Sequence, residues 1–203
     1  HVVCNNAGVF AAGPSWQAPL SDYEWVFGVN VFGVVHGIRT FVPILLDQNV
    51  ESHVVNTASM AALTSMPLTA AYTASKHAVL ALSETLYHEL RGRGAPIGVS
   101  ALCPEAVATG IAHSERVRPP HLARKSGEAE GPEFTLVEQG IRSVIAQGAP
   151  PAKIAARVVR AVREDLFYVL PDADDPWLAA CDARLEDVRA RRNPTFAVPG
   201  AAR

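Results

Sequence analysis

Tyr72, Lys76 and Ser59 are the residues whose types and spacing are best suited to chemistry. Tyr72 and Lys76 lie four positions apart in the segment YTASK, and Ser59 lies upstream of them. On a helix, residues four apart share a face, so the phenol and the ammonium can address one small volume. A cation near a phenol favours the phenolate and lowers a pKa that starts at about 10. We therefore expect Tyr72 to act as a general acid or base near neutral pH.

Ser59 ends the apolar run VVNTAS, which predicts a buried strand. Its hydroxyl would project from the strand's end, where open parallel sheets bind their ligands. The pair formed by Tyr72 and Lys76 is weak by itself, because a YxxxK spacing also arises by chance and can be an exposed helix pair. The interpretation therefore depends on which other motifs accompany it.

Strand-like and helix-like segments alternate along the chain, which indicates an α/β fold with a parallel sheet. Ser21 is the expected N-cap of the first helix, with Glu24 completing a capping box. Residues 105–150 are the least regular segment, and a loop of this length is typical of a lid or a binding segment. The predicted strands are 1–4, 53–59, 97–103 and 167–170, and the predicted helices are 21–46, 71–91, 151–162 and 175–192.

Composition narrows the class of protein. The chain has 203 residues, 49% of them hydrophobic, which is enough for one sizeable core in a single domain. A net charge of −2 gives no basic surface for nucleic acid, so no nucleic-acid partner is expected. No apolar stretch approaches the roughly 20 residues of a membrane span, so no membrane partner is expected either.

The three cysteines, Cys4, Cys103 and Cys181, are widely separated and have no metal-ligand spacing. Cys4 and Cys103 lie in apolar strand-like segments, where a thiol is expected to be a small core residue. The scattered histidines suggest no metal site either. We therefore expect no metal, reduced thiols and a cytoplasmic location.

Five motifs then occur in order along the chain: NNAG at 5–8, NVFG at 30–33, Ser59, YTASK at 72–76 and CPEAVAT at 103–109. Together they resemble the short-chain dehydrogenase/reductases, over essentially the whole chain to the strand at 167–170. The resemblance implies a Rossmann-like doubly wound parallel sheet. It would form one domain at 1–171, with a substrate loop at about 105–150 and a helical tail at 172–203.

The resemblance also implies roles for individual residues. Tyr72 would be the catalytic acid or base, and Lys76 would lower its pKa and bind the nicotinamide ribose. Ser59 would hydrogen-bond the substrate oxygen, and Asn30 would hold a water that links Lys76 to solvent. The cofactor, NAD or NADP, would be contacted by Asn5, Ala7, Gly8, Tyr72, Lys76, Pro104, Val107 and Thr109.

The substrate implied by the family is a small alcohol or ketone, and an apolar one is expected. Met60, Leu63, Met66 and Leu68 could line an apolar substrate pocket or belong simply to the core. The helices at 21–46 and 71–91 would form the subunit interface of a homodimer or homotetramer of the full-length protein.

Two departures from the family pattern are visible. The chain has Glu105 after Pro104, where the family usually has glycine, which places bulk and charge beside the expected nicotinamide site. The chain also shows neither a glycine-rich turn for the pyrophosphate nor a second-strand acid or base that would choose between NAD and NADP. In the family these elements precede NNAG. We therefore expect the first strands to be absent, the strand at 1–4 to be an open edge, and the 203-residue chain alone to bind dinucleotide weakly and to be inactive.

Three functions remain open from the sequence. The leading one is an NAD(P)-dependent oxidoreductase that interconverts a secondary alcohol and a ketone. The second is a catalytically silent homologue that acts through its helical dimer face, favoured by Glu105 and the missing glycine turn. The third is an epimerase or dehydratase of the family's extended branch, which the ASK after Tyr72 and the NNAG turn disfavour.

Overall fold

The computed structural model of the chain describes residues 1–195. Within them, four parallel strands form one sheet in the order β1-β2-β3-β4. The strands are β1 (Val2–Asn5), β2 (Ser52–Thr57), β3 (Ile97–Leu102) and β4 (Tyr168–Val169). The helices are α1 (Leu20–Asn30), α2 (Phe32–Gln48), α3 (Ala70–Gly92), α4 (Pro132–Ala146), α5 (Pro151–Glu164) and α6 (Pro176–Ala190). Short 3-10 helices occupy Met60–Ala62, Gly110–Val117 and Pro120–Leu122.

Helices cover both faces of the sheet because neighbouring residues of a strand point to opposite sides. Val54 of β2 packs into a core with Val42 and Leu45 of α2 and with Leu86 of α3. Its neighbour Val55 packs on the other face, in a core that includes α5 and β4. The predicted α/β class with a parallel, Rossmann-like sheet is therefore confirmed.

The first predicted helix, 21–46, differs from the structure in two ways. It is interrupted at Val31, which separates α1 from α2. The prediction of Ser21 as N-cap is wrong, because Pro19 is the N-cap and no side chain caps this helix. Pro19 has φ −60° and ψ 148°, an extended conformation from which the helix begins at Leu20, so the N-cap lies two residues before Ser21. Glu24 therefore completes no capping box.

The segment 105–150 is more regular than predicted, because it contains α4. Pro132 occupies the first turn of α4, where a missing N–H is tolerated, and it follows Gly131 with φ 116°. Phe134 of α4 is buried and stands against Gly13, where an added Cβ would lie 2.0 Å from the Phe134 ring. The segment therefore contains a helix that packs on the loop after β1.

By length and composition alone, Leu20–Gln48 could cross a membrane, contrary to the expectation that no stretch would be apolar enough. Core helices share this property, and here Trp25, Val26, Val34 and Leu45 are buried against the rest of the chain, although only 28% of the most apolar stretch is buried. The predicted tail, 172–203, corresponds to α6 within the described residues, and its last eight positions lie outside them.

Candidate active site

The carboxyl ends of the parallel strands meet at one edge of the sheet, and a cleft with a volume of about 720 Å³ opens there. The turn after β1, the residues after β2 and β3, and the first turns of α3 all contribute to its walls. Eight of the predicted site residues line it: Ala7, Gly8, Ser59, Tyr72, Lys76, Pro104, Val107 and Thr109. Asn5 and Asn30 do not.

Tyr72 lies in the first turn of α3, beside the cleft. The Phe10 ring packs edge-on against it, with the ring centres 5.0 Å apart. Burial raises the pKa of the Tyr72 phenol, whereas its interaction with the Ser59 hydroxyl lowers that pKa, and the net direction is upward. The pKa of the phenol is therefore not lowered as expected, because the desolvation of the phenol dominates. The role of Lys76 in lowering it stays a prediction.

Ser59 follows β2 in an extended conformation and starts the 3-10 helix at Met60–Ala62. Its Oγ accepts a hydrogen bond from the backbone N–H of Ala61 at 3.1 Å. The side chain is thereby oriented, and its O–H remains able to donate to a ligand in the cleft.

Lys76 is one helical turn after Tyr72, and only 3% of its surface is exposed. Its Nζ donates to the backbone oxygen of Thr57 at 2.8 Å and lies 5.7 Å from the centre of the Tyr72 ring. Burial lowers the pKa of Lys76 to about 8, and the nearby Cys103 thiol acts in the opposite direction. The ammonium is therefore retained at neutral pH and lost at moderately alkaline pH.

Asn30 ends α1 and is buried, with its side-chain amide bonded on both sides. Its Oδ1 accepts from the N–H of Val9 at 2.8 Å. Its Nδ2 donates to the carbonyl of Val9 at 3.1 Å and to the Ser75 Oγ at 3.0 Å. Asn30 thus fixes the loop after the NNAG turn against α3. Its role as a water-holding group stays a prediction.

Gly8 lies between Asn30 and Lys76. A Cβ added to Gly8 would be 3.5 Å from the Asn30 Oδ1 and 3.6 Å from the Lys76 Nζ, which are ordinary contact distances. The turn, the amide and the ammonium are therefore close neighbours. This places Asn30 next to the cleft, although it does not line it.

Asn5 holds the NNAG turn in place through side-chain contacts that lie outside the cleft. Its Nδ2 donates to the Asn56 Oδ1 at 2.8 Å, and Asn56 in turn donates to the Ser83 Oγ at 3.0 Å. Gly37 of α2 makes room for it, because a Cβ there would lie 2.0 Å from the Asn5 Oδ1. The prediction that Asn5 contacts a cofactor therefore has no support from its side chain, which is bonded within the fold.

Glu105 lies in the cleft wall, and its charge is balanced by a residue that the sequence did not indicate. The Arg157 Nη1 of α5 donates to both carboxylate oxygens of Glu105, at 2.8 and 2.7 Å, and both side chains are about 90% buried. Burial acts to lower the pKa of Arg157, but Glu105 and Asp172 raise it overall. The carboxylate that replaces the family's glycine is therefore neutralised within the fold.

The segment after Thr109 is held against α1 by ion pairs that the sequence did not indicate. The Asp22 carboxylate, 1% exposed, accepts from Arg118 at 2.7 Å and from Arg124 at 3.0 and 2.9 Å. The Arg118 guanidinium also stacks on the Trp25 ring, 4.8 Å from its centre. These partners are about 100 positions apart, so no local pattern could have indicated them.

The four residues proposed for an apolar pocket do not line the cleft. Met60 is buried in a core cluster, and Leu63 packs against the same cluster. For these two residues the alternative interpretation, a simple core role, is the correct one. Cys4 also differs from its expected core role, because it is exposed on β1 and lines the cleft, whereas Cys103 and Cys181 are buried.

The cleft suits the nicotinamide end of a dinucleotide in the chemistry of its walls. Ligand pockets commonly have volumes of about 300–1,000 Å³ and combine apolar walls with a few polar groups. Here Lys76 supplies an ammonium, Ser59 and Tyr72 supply hydroxyls, and Pro104 and Val107 supply apolar surface. Among residues 1–195, no three histidine, cysteine, aspartate or glutamate side chains are grouped so as to hold a metal ion.

Comparison with known proteins shows the family to which this chain belongs. The family model described as short chain dehydrogenase matches residues 1–119, more than half of the chain. The chain therefore belongs to the short-chain dehydrogenase family, as the five motifs predicted. The expectation from the resemblance is confirmed at the level of the family.

Several relatives show how far the similarity extends. The chain is 30% identical over 170 residues to the CLA biosynthesis dehydrogenase/reductase of Lactiplantibacillus plantarum, covering 83% of this chain and 59% of that protein. It is 49% identical over 110 residues to a 1-deoxy-11-beta-hydroxypentalenate dehydrogenase of Streptomyces avermitilis, covering 53% of this chain and 40% of that protein. The chain thus spans about half the length of the curated relatives that it matches.

Among solved structures, a short chain dehydrogenase/reductase from Burkholderia phymatum in complex with NAD is similar with a TM-score of 0.93. The two are 43% identical, and the match covers 98% of this chain and 69% of that one. A second dehydrogenase, from Novosphingobium aromaticivorans, is similar with a TM-score of 0.67 at 29% identity, covering 98% of this chain and 61% of that one. The fold of the described residues is therefore that of the family.

Proposed function

We propose that the complete protein is an NAD(P)-dependent oxidoreductase that interconverts a secondary alcohol and a ketone, with Tyr72 as its acid or base. One observation carries this proposal: Ser59, Tyr72 and Lys76 line a single cleft at the carboxyl edge of a parallel sheet. Each supplies a group that the reaction needs, and the family to which the chain belongs is one of dehydrogenases.

When bound, the nicotinamide accepts or donates the hydride at the carbinol carbon. The proton of the substrate hydroxyl is transferred by a side chain of the protein. The phenolate oxygen of Tyr72 would take the hydroxyl proton of an alcohol during oxidation and return it to the carbonyl oxygen during reduction. The Ser59 hydroxyl would donate to the same substrate oxygen and hold it beside Tyr72.

The ammonium of Lys76 has a specific electrostatic task in this scheme. Burial raises the pKa of Tyr72, so the phenolate needs a nearby positive charge to become accessible. Lys76 retains that charge at neutral pH because its pKa is about 8. Asn30 is proposed to connect Lys76 to solvent through a water, since it lies next to the same turn.

The cofactor would lie along the wall formed by Ala7, Gly8, Pro104, Val107 and Thr109. The cofactor is proposed to be NAD or NADP, and the similar Burkholderia phymatum protein is in complex with NAD. The charge of Glu105 beside this wall does not oppose the proposal, because Arg157 neutralises it. The remaining apolar wall supports a substrate with an apolar body.

A homodimer or homotetramer of the complete protein is also proposed. Leu20, Phe32, Phe41 and Ile44 are exposed apolar residues of α1 and α2, and exposed apolar patches commonly mark subunit contacts. A cytoplasmic location and weak dinucleotide binding by residues 1–203 alone stay predictions. Light scattering and calorimetry would test the oligomeric state and the nucleotide affinity, respectively.

The replacement of Tyr72 by phenylalanine in the complete protein tests the proposal. We expect kcat for a secondary alcohol to fall about 10²–10⁴-fold, because the proton acceptor is lost. The Kd for NAD should change little. Tyr87→Phe is the matched control, because Tyr87 is on the same helix but outside the cleft. A Tyr72→Phe enzyme with unchanged kcat would contradict the assigned role.

The silent-homologue alternative makes the opposite prediction. The wild-type complete protein would then form oligomers and transfer no hydride from any secondary alcohol of a broad panel. The buried Lys76 and the oriented Ser59 favour the enzyme, since these groups have no evident use in a protein that acts only through the outer faces of α1, α2 and α3.

A further inference from the structure

Arg116 stands at the junction of two cavities. Its side chain lines the 720 Å³ cleft together with Tyr72 and Lys76. It also lines a second cavity of about 230 Å³, whose walls include Phe10, and Phe10 is the residue that packs on the Tyr72 ring. A ligand that occupies both cavities would therefore have Arg116 in its wall. The Arg116 side chain is also exposed, so a ligand can reach it.

The guanidinium is held in place by the backbone. The Arg116 Nη1 donates to the carbonyls of Gly110 at 2.9 Å and His113 at 3.0 Å. On the amino-terminal side, the Ser114 Oγ accepts from the N–H of Phe10 at 3.1 Å. On the carboxyl-terminal side, Arg118 is bound to the buried Asp22. Arg116 is thus oriented before any ligand arrives, which reduces the entropy lost on binding.

Its charge is not balanced by a carboxylate within residues 1–195, where no acidic side chain lies within ion-pair distance of Arg116. The acidic residues of the second cavity bind other guanidinium groups. Glu115 pairs with Arg118 at 3.1 Å, and Glu138 pairs with Arg124 at 3.5 Å. In the main cleft, Glu105 is bound by Arg157.

We propose that Arg116 binds an anionic group of the ligand, either a carboxylate of the substrate or a phosphate of the cofactor. The inference rests on the proposed dehydrogenase function and narrows it to a specificity-determining residue. A guanidinium presents its N–H groups in a fork that matches a carboxylate or a phosphate. Only Nη1 is used by the two carbonyls, so Nη2 and Nε remain for the ligand.

The test uses the complete protein with Arg116→Gln, which keeps an amide donor but removes the charge, and Arg116→Lys, which keeps the charge but removes the fork. Arg142→Ala is the matched control, because Arg142 lines the second cavity but not the main cleft. The measurements are the Kd of NAD and of NADP, and kcat/KM for secondary hydroxy acids against their methyl esters, mandelate and methyl mandelate among them. Urea midpoints confirm that each variant is folded.

Two outcomes support the proposal and distinguish the source of the anion. If the substrate supplies it, Arg116→Gln lowers kcat/KM for the hydroxy acids about 10- to 100-fold and leaves the esters and the nucleotide Kd unchanged. If the cofactor supplies the anion, the Kd of NAD or NADP rises by a similar factor. The ratio of kcat/KM for the hydroxy acids to kcat/KM for their esters is then unchanged. Arg116→Lys should fall between wild type and Arg116→Gln in either case.

The proposal is overturned if the wild type and both Arg116 variants agree within about twofold in every measurement. Failure of the dehydrogenase function would look different, since the wild type would then oxidise no alcohol. In that case calorimetry with mandelate and with inorganic pyrophosphate decides the matter. Binding by wild type that Arg116→Gln weakens supports the anion site, whereas equal binding or none overturns it.

Discussion

The catalytic edge (residues 5–8, 57–59 and 72–76) and the segment after β3 (residues 105–150) face the same cleft but are held by different interactions. The catalytic edge is fixed by strand ends, a helix and neutral or backbone hydrogen bonds, such as that from Lys76 to the Thr57 carbonyl. The segment after β3 is fixed by ion pairs to distant helices, with Asp22 binding two arginines and Arg157 binding Glu105.

This difference explains which part of the function is readable from the sequence. Positions on one helix or at the end of one strand keep a constant spacing, so their chemistry leaves a motif. An ion pair between α1 and a segment about 100 residues later leaves no spacing at all. The family is therefore predictable from local patterns here, whereas the packing of the segment after β3 depends on long-range charge pairs.

The largest effect on stability is expected from Asp22→Ala, which would break the anchoring of the second region. It removes the buried carboxylate of the Arg118 and Arg124 guanidinium groups, whose side chains are 3% and 16% exposed. Within residues 1–195, only the more exposed carboxylates of Glu115 and Glu138 then remain as their ionic partners. Removing one partner of a buried ion pair costs about 3–5 kcal/mol. We expect the free energy of unfolding, measured by urea denaturation, to fall by that amount.

The control for this change is Asp47→Ala. Asp47 is exposed, and surface substitutions of this kind usually stay within about 0.5 kcal/mol of wild type. Equal stability of the Asp22 and Asp47 variants would show that the ion pairs do not fix the segment, and the contrast between the two regions would then be wrong.

Lys76→Met tests the burial of a charge at the catalytic edge, because we expect it to abolish turnover and yet to stabilise the fold. Burial lowers the Lys76 pKa from 10.5 to about 8, so the folded state at pH 7 carries an unfavourably desolvated charge. Its removal should raise the free energy of unfolding by about 1–3 kcal/mol at pH 7, after the lost hydrogen bond to Thr57 is deducted.

The stability of the wild type is expected to change with pH in a direction that follows from the lowered pKa of Lys76. Between pH 8 and 10.5 the unfolded lysine binds more protons than the folded one, so wild-type stability should rise with pH across that window. Lys76→Met should lose that rise, and Lys125→Met, at an exposed lysine, should keep it. Urea denaturation without nucleotide at several pH values measures this change in the free energy of unfolding. A Lys76→Met protein less stable than wild type at pH 7 would refute the desolvation argument.

The smallest effect concerns the packing behind the NNAG turn. Gly37→Ala would place a methyl group on the Asn5 side chain and should displace its hydrogen bond to Asn56. We expect a loss of about 1–2 kcal/mol in urea melts, since overpacking and a lost buried hydrogen bond both act. Gly33→Ala, on the same helix with nothing within 4 Å, should instead gain up to about 1 kcal/mol. If both variants gain stability, Asn5 does not anchor the turn tightly.

Much of the fold was predictable from the sequence. Helix 71–91 appears as α3 (Ala70–Gly92), and all four predicted strands exist with ends shifted by one or two residues. Their patterns are long apolar runs or strong periodicities that tertiary contacts reinforce. The first helix was less predictable, since no proline or glycine stands at Val31, where it is interrupted.

The helix α4 was missed, although a local signal for it exists. Gly131 and Pro132 mark a helix start, and Phe134, Val137, Ile141 and Ile145 recur at helical spacing. The direction of the Tyr72 pKa was also wrong, because spacing shows that a lysine is near but not how far the phenol is desolvated. Arg157 and Arg118 had no such signal, since their partners lie far along the chain.

Transfer of deuterium from substrate to nucleotide is the direct test of hydride transfer with Tyr72 as acid or base. The complete protein would be mixed with NAD or NADP and a panel of secondary alcohols deuterated at the carbinol carbon, and the reduced nucleotide would be analysed by mass spectrometry. We expect deuterium in the nucleotide with wild type and at least about a hundredfold slower transfer with Tyr72→Phe. Absence of deuterium with wild type for every alcohol would rule out hydride transfer, and equal transfer by Tyr72→Phe would rule out Tyr72 as the acid or base.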